Sequence, residues 1–399
     1  MKHSLIQLFR YSIIQLLITI NCLSCISEYE PPDIEEVTDI LVVGGIITDY
    51  ESTITLTRSV NITEGDYSYP VYVDNAIVYI ECDDGTQWRA EPYIPSPSYS
   101  SSSPWGRNGR YIIRTGQLDL ERKYCLKIEI EEIDNSKDCT VDPWSGGINC
   151  PTKIYKYSSD FSHPLKTPEI DNVFWLQSGY GQPVIIRVVT HSPDNRTMYH
   201  RWSYEEDWEI NSAFDLAYRG YPFYCWNSVN SRNILLGSSE RTVFGQLTGK
   251  ILEISSSDRR LSVLYRIDVK QNTISKRAYD YFENIKKNAD NMSNIFAPVP
   301  SELRGNIACI TDPSRPVIGY VEVSTTTQMI RYISRSEILY QNMSQCRLVP
   351  RDELIGENGR LQIPVDHIPY DDSGEYYVDI RCVDCRYYGT LTKPNNWPK

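Results

Sequence analysis

Thr53-Ile54-Thr55-Leu56-Thr57 and the run from Tyr124 to Ile130 alternate apolar and polar side chains with a period of two. That period puts one set of side chains on one face of an extended chain, and it cannot form the single apolar stripe of a helix. Residues 40–47, 76–80 and 111–114 add further strand-like runs, and the gaps between runs carry turn chemistry. Asp83-Asp84-Gly85 stands between two such runs, a strong hairpin signal. Residues 95–109 form a Ser/Pro/Gly-rich loop. With 30 Tyr and 8 Trp, the composition adds the aromatic enrichment that suits strands. The fold class expected is mostly β, with two β-sandwich-like domains, the first an immunoglobulin-like sandwich over residues 39–160.

After Pro164 and Pro168, a second β-rich domain is expected over 165–399. Alternation along 199–208 divides one strand into two faces. His200, Trp202, Tyr204, Glu206 and Trp208 share one, while Tyr199, Arg201, Ser203, Glu205 and Asp207 share the other. One helix stands out near 274–289. Ile274, Ala278, Tyr281, Phe282 and Ile285 recur at helical spacing behind a Thr273 cap, with Lys286 and Lys287 in the last turn.

The first 24 residues read as a secretory signal. Lys2 and Arg10 precede a short apolar run over 13–20, well under the roughly 20 residues that a spanning helix needs. Ser24-Cys25 then matches a bacterial lipoprotein cleavage site, so Cys25 is expected to carry lipid and 25–38 to be an acidic, proline-bearing tether. The partner this implies is membrane lipid, reached through Cys25.

A net charge of −12 without any Lys/Arg-rich block argues against nucleic acid. Eleven cysteines, less Cys22 and Cys25, leave an odd number for an exported chain, so disulfides plus at least one free thiol are expected. Cys139 and Cys150 bracket a loop that a bridge would close, and Cys346 is expected to bridge to Cys382 or Cys385. Cys82 and Cys125 either pair across a sheet or stay buried and reduced. Cys382-Val-Asp-Cys385 is half of a zinc site, but a structural disulfide is the stronger reading, and no metal or cofactor is expected.

Catalytic patterns are thin. The sequence has no Gly-x-Ser-x-Gly elbow, His-Glu-x-x-His helix, phosphate loop or calcium loop. Glu205 and Asp207 share a strand face roughly 6.5–7 Å apart, a spacing glycosidases use, yet those enzymes need carboxylates on two sides of a cleft. The simpler reading is a charged outer face, with Arg201 pairing with both. His191 and His200 belong on two separate strands. Trp202, Trp208 and Trp226 are the candidate binding residues, as a platform for a partner or cargo.

The chain also resembles a known family. The residues that carry the likeness are Ser24-Cys25 with Tyr29-Glu30-Pro31, the Asp83-Asp84-Gly85 hairpin, the stretch 199–209, Cys225-Trp226, 269–275, and Ala278-Tyr279-Asp280-Tyr281-Phe282. It continues through Gly305-Asn306-Ile307, Gly319-Tyr320, Cys382-Val383-Asp384-Cys385-Arg386 and the terminal 393–397. Together these are similar to the Bacteroidota outer-membrane lipoproteins called domain of unknown function 4249. The resemblance implies a non-enzymatic, lipid-anchored protein on the periplasmic or cell-surface face of the outer membrane. It also implies a place beside a TonB-dependent transporter barrel, binding that protein or its cargo. A surface adhesin or structural subunit is the alternative, and a glycan or peptide hydrolase a weaker one.

Overall fold

The computed structural model describes residues 39–59, 71–92, 108–134, 137–141, 148–192, 198–242, 245–291, 305–342, 345–395 and 397–398. The signal, Cys25, the tether and most of the 95–109 loop therefore lie outside the described residues.

The period-two runs become strands of a sandwich. One sheet is built on Leu41–Ile47, Tyr50–Arg58 and Arg110–Gly116, the other on Ile77–Cys82, Tyr124–Ile133 and Thr152–Ser159. Their inward side chains, among them Ile54, Leu56, Ile80, Tyr111, Ile113, Leu126 and Ile128, meet in one apolar core. The Asp-Gly turn closes the hairpin between Ile77–Cys82 and Gln87–Arg89, and Gly85 takes the positive φ of 89° that such turns require.

The first sandwich does not end near residue 160. Ile307–Cys309 pairs with Thr152–Ser159, while Val317–Gly319 and Glu322–Val323 run parallel to Leu41–Ile47. The physical reason is edge closure: both outer strands would otherwise present unpaired backbone groups. Nothing in the local pattern of 305–323 says which sheet it joins.

The second sandwich faces a three-stranded sheet (Ile170–Leu176, Val184–His191, Gln246–Ile254) against a larger one. The larger sheet orders Tyr224–Asn230, Tyr199–Asn211, Leu264–Thr273 and Thr326–Ser334, with Leu235–Ser238 added beside Tyr199–Asn211. Their shared core includes Val173, Val184, Ile186, Val188, Trp202, Tyr265, Ile267 and Val269. A small three-stranded sheet of Val349–Pro350, Tyr376–Asp379 and His367–Pro369 follows.

The helix spans Lys276–Asn291, two residues later at its start than its apolar spacing suggests. Thr273 belongs to the preceding strand, and Ser275 is the cap: its Oγ accepts the Ala278 N–H at 3.2 Å. Ile274, Ala278, Tyr281 and Phe282 pack on Tyr199 and on Tyr320 of the returning segment. Buried Glu322 accepts the Ser275 N–H at 2.8 Å, so helix, second sandwich and returning segment meet at one point. Among the described residues no helix is long and apolar enough to cross a membrane.

Candidate functional site

The strand Tyr199–Asn211 is central to its sheet, and its two faces fall as the alternation requires. The inward face, however, removes two of the three candidate tryptophans from any surface. Trp202 is 2% exposed and Trp208 9%, both inside the second core. The Trp202 indole N–H donates to Gln271 Oε1 at 2.8 Å, and Gln271 in turn donates to Pro168 O and Thr190 Oγ1. Space for the ring comes from two glycines. A Cβ on Gly237 would run into the ring, and one on Gly249 would lie 2.8 Å from it. Trp202 is a core plug, not a platform. Trp226 is half-buried on the edge strand, where Thr390 caps it with backbone hydrogen bonds of 2.8 Å in both directions.

The carboxylates of this strand are committed to neighbours in the sheet. Glu205 takes Lys270 at 2.8 Å, and Asp207 takes Arg266 at 2.5 Å. Arg266 also reaches Asp268 at 3.1 Å. Inward Glu206 accepts from Arg260 at 2.8 Å and from the Tyr265 hydroxyl at 2.7 Å. Burial pushes the Asp268 carboxyl above the usual range, against the opposing pull of Arg266 and Lys270. Burial, together with the Glu206 charge, likewise pushes the Tyr265 hydroxyl well above its ordinary value. The expected pairing of Arg201 with Glu205 and Asp207 does not form; its guanidinium lies 4.4 Å from the centre of the Phe282 ring. Arg266 stands directly opposite Asp207 and Lys270 diagonal to Glu205, whereas Arg201 lies four and six residues away along the same strand.

His191 and His200 stand on different strands. His191 Nδ1 is 2.7 Å from the Asp171 carboxylate on a half-exposed surface, while His200 is buried and stacked on Trp202.

Among the described residues there are three disulfides. Cys139–Cys150 closes its loop, Cys346 bridges to Cys382, and Cys385 bridges to Cys225. The last pairing spans 160 residues and has no local signal. Both thiols of the Cys-x-x-Cys are thus consumed in separate bridges and cannot serve as zinc ligands. Cys82, Cys125 and Cys309 are buried and unbridged, and burial pushes the Cys125 thiol up to about 11. Among the described residues no cluster of His, Cys, Asp and Glu could hold a metal ion.

Two of the clefts that could take a ligand carry arginine in their walls. One, of about 580 Å³, lies between the sandwiches and is lined by Tyr50, Arg201, Lys270, Asn272 and Gln328. At its rim the Glu51 N–H bonds Asp49 O at 2.9 Å, so Tyr50 is the centre of a three-residue turn with φ of 67° and 67% exposure. Asp49 fixes that turn to the second sandwich by accepting the Thr326 N–H at 2.9 Å. The larger cleft, about 980 Å³, lies at one end of the second sandwich, between Ser257, Arg259, Ser334 and Arg335 on one side and Cys346 and Arg381 on the other. Sequence reasoning passed over these arginines. Arg259 and Arg335 each begin a short turn, and no spacing in the sequence shows that two turns and a C-terminal segment share a cleft.

A family model described as "Domain of unknown function (DUF4249)" matches residues 26–143 and 148–330, well over half of the chain, and the chain belongs to that family. The match stops at 330, so Cys346, Cys382 and Cys385 lie beyond it. No curated protein matches the chain.

Proposed function

We propose that this DUF4249 protein is a non-enzymatic lipoprotein of the outer membrane, anchored through Cys25, that holds a partner or cargo for a TonB-dependent transporter. The observation that carries the non-enzymatic part is the fate of the strand with the most catalytic-looking carboxylates. Glu205, Glu206 and Asp207 each have a basic neighbour within 2.8 Å, and Glu206 is buried away from any substrate. A carboxylate held by a fixed cation lacks the free, tunable protonation that acid–base catalysis uses. The anchor rests on the Ser24-Cys25 signal, and the acidic tether leaves lipid as the means of attachment. With Trp202 and Trp208 in the core, contact with a partner falls to the clefts and their rims.

The test is affinity purification of the full chain from detergent-solubilised outer membranes, compared with the Cys25→Ser variant. The expected result is a stoichiometric TonB-dependent barrel with the wild-type chain, and loss of membrane partition in the variant. Membrane partition unchanged by Cys25→Ser would overturn the anchor. Hydrolysis of a glycan or peptide panel that Glu205→Gln abolishes would overturn the non-enzymatic reading.

A further inference from the structure

The larger cleft has a chemistry of its own. Arg259 and Arg335 each begin a short turn, the first after Asp258 and the second after Ser334, so both side chains are placed by capped backbone at the sheet's end. Each guanidinium is laid beside a tyrosine ring: Arg259 is 3.4 Å from the centre of the Tyr388 ring, and Arg335 is 5.0 Å from that of Tyr340. Stacking occupies the flat face of a guanidinium and leaves its N–H edge available. The neighbouring cations differ. Arg260 is taken by Glu206 and Asp258, and Arg381 by Asp379 and Asp366. Among the described residues no carboxylate pairs with Arg259 or Arg335.

Two oriented and unpaired guanidinium groups in a concavity of about 980 Å³ are notable in a chain of net charge −12. The volume lies at the upper end of the range for small-molecule sites. Ser257, Ser262, Ser334 and Ser336 supply hydroxyls around the two arginines. The opposite wall is held by the Cys346–Cys382 bridge next to Arg381, so the cleft is fixed in shape before anything enters.

We propose that this cleft binds a small ligand bearing an oxyanion, with Arg259 and Arg335 as the anion-recognising pair. Planar guanidinium forks match carboxylate, sulfate and phosphate oxygens in bidentate geometry. The site is independent of whether the chain docks on a transporter.

Calorimetric titration of the full chain with citrate, inorganic phosphate and sulfate, at constant ionic strength set with chloride, tests this. Saturable binding of at least one of the three is expected, and which one binds separates a carboxylate ligand from a phosphate or sulfate ligand. The Arg259→Ala/Arg335→Ala variant should weaken that binding at least tenfold, while Arg331→Ala, earlier on the Thr326–Ser334 strand and laid over Trp175, should leave it unchanged. Both arginines are exposed, so the double variant should keep the wild-type circular dichroism spectrum. No binding beyond chloride, or equal binding by wild type and double variant, would overturn the proposal.

Discussion

The two sandwiches are closed by different means. The first relies on hydrogen bonds from a segment far along the chain: Leu41 is paired with Val317, and Tyr157 with Cys309. Its core is apolar, its buried cysteines Cys82, Cys125 and Cys309 stay unbridged, and its Cys139–Cys150 bridge closes only a local loop between neighbouring strands. The second is closed covalently. Cys225–Cys385 ties its edge strand to the C-terminal segment, and Cys346–Cys382 holds that segment to itself. The second sandwich also buries charge on the face of its larger sheet that points away from the core, with Arg266 3% exposed between Asp207 and Asp268. A well-filled apolar core tolerates thiols as small hydrophobes, whereas buried ions gain little net stability for a sheet, and there cross-links add to it.

The sharpest way to break this contrast is to remove the Cys225–Cys385 bridge. With 160 residues between its ends, chain entropy makes the bridge worth about 5 kcal/mol. In urea, hydrogen exchange on Cys225→Ser/Cys385→Ser should show the second sandwich opening earlier while the first keeps its protection. Equal loss in both would mean that they unfold as one unit and that the contrast has no energetic content. Next in size, Arg266→Ala leaves Asp207 and Asp268 facing each other without a cation, and should cost about 3 kcal/mol in equilibrium unfolding. A cost near zero would show that water already reaches the pair. Smallest, Gly237→Ala should cost about 2 kcal/mol by pushing on the Trp202 ring. Pairing it with Trp202→Phe should recover part of that loss if crowding of the ring is the cause.

The same contrast governs what could be read from the residues alone. Strands with clear alternation, the Asp83–Gly85 hairpin and the inward face of 199–208 follow from local patterns, and all three are present. The Cys139–Cys150 bridge also follows, as does a bridge from Cys346 to one thiol of Cys382-Val-Asp-Cys385, the choice between the two being left open. What local pattern does not carry is long-range choice. Return of 307–323 to the first sandwich, the partner of Cys225, and the meeting of Arg259 with Arg335 depend on topology. The inward tryptophans show a further limit. Alternation says that Trp202 and Trp208 share a face, and room for the Trp202 ring on that face comes from Gly237 on the neighbouring strand and Gly249 on the opposing sheet.

The parallel pairing of Leu41–Ile47 with Val317–Gly319 and Glu322–Val323 has a consequence for the order of events during synthesis. A ribosome delivers the first sandwich's own strands early, yet the strands that cover its edges emerge only after the whole core of the second sandwich up to Leu264–Thr273 and the helix have been made. The unit made first therefore stays open until most of the second has been made. Until residue 323 is available, Leu41–Ile47 and Thr152–Ser159 each offer a bare row of amides to any passing strand. Fragments that stop anywhere between 160 and 305 carry that exposure permanently, and are the forms of this chain most prone to associate with one another.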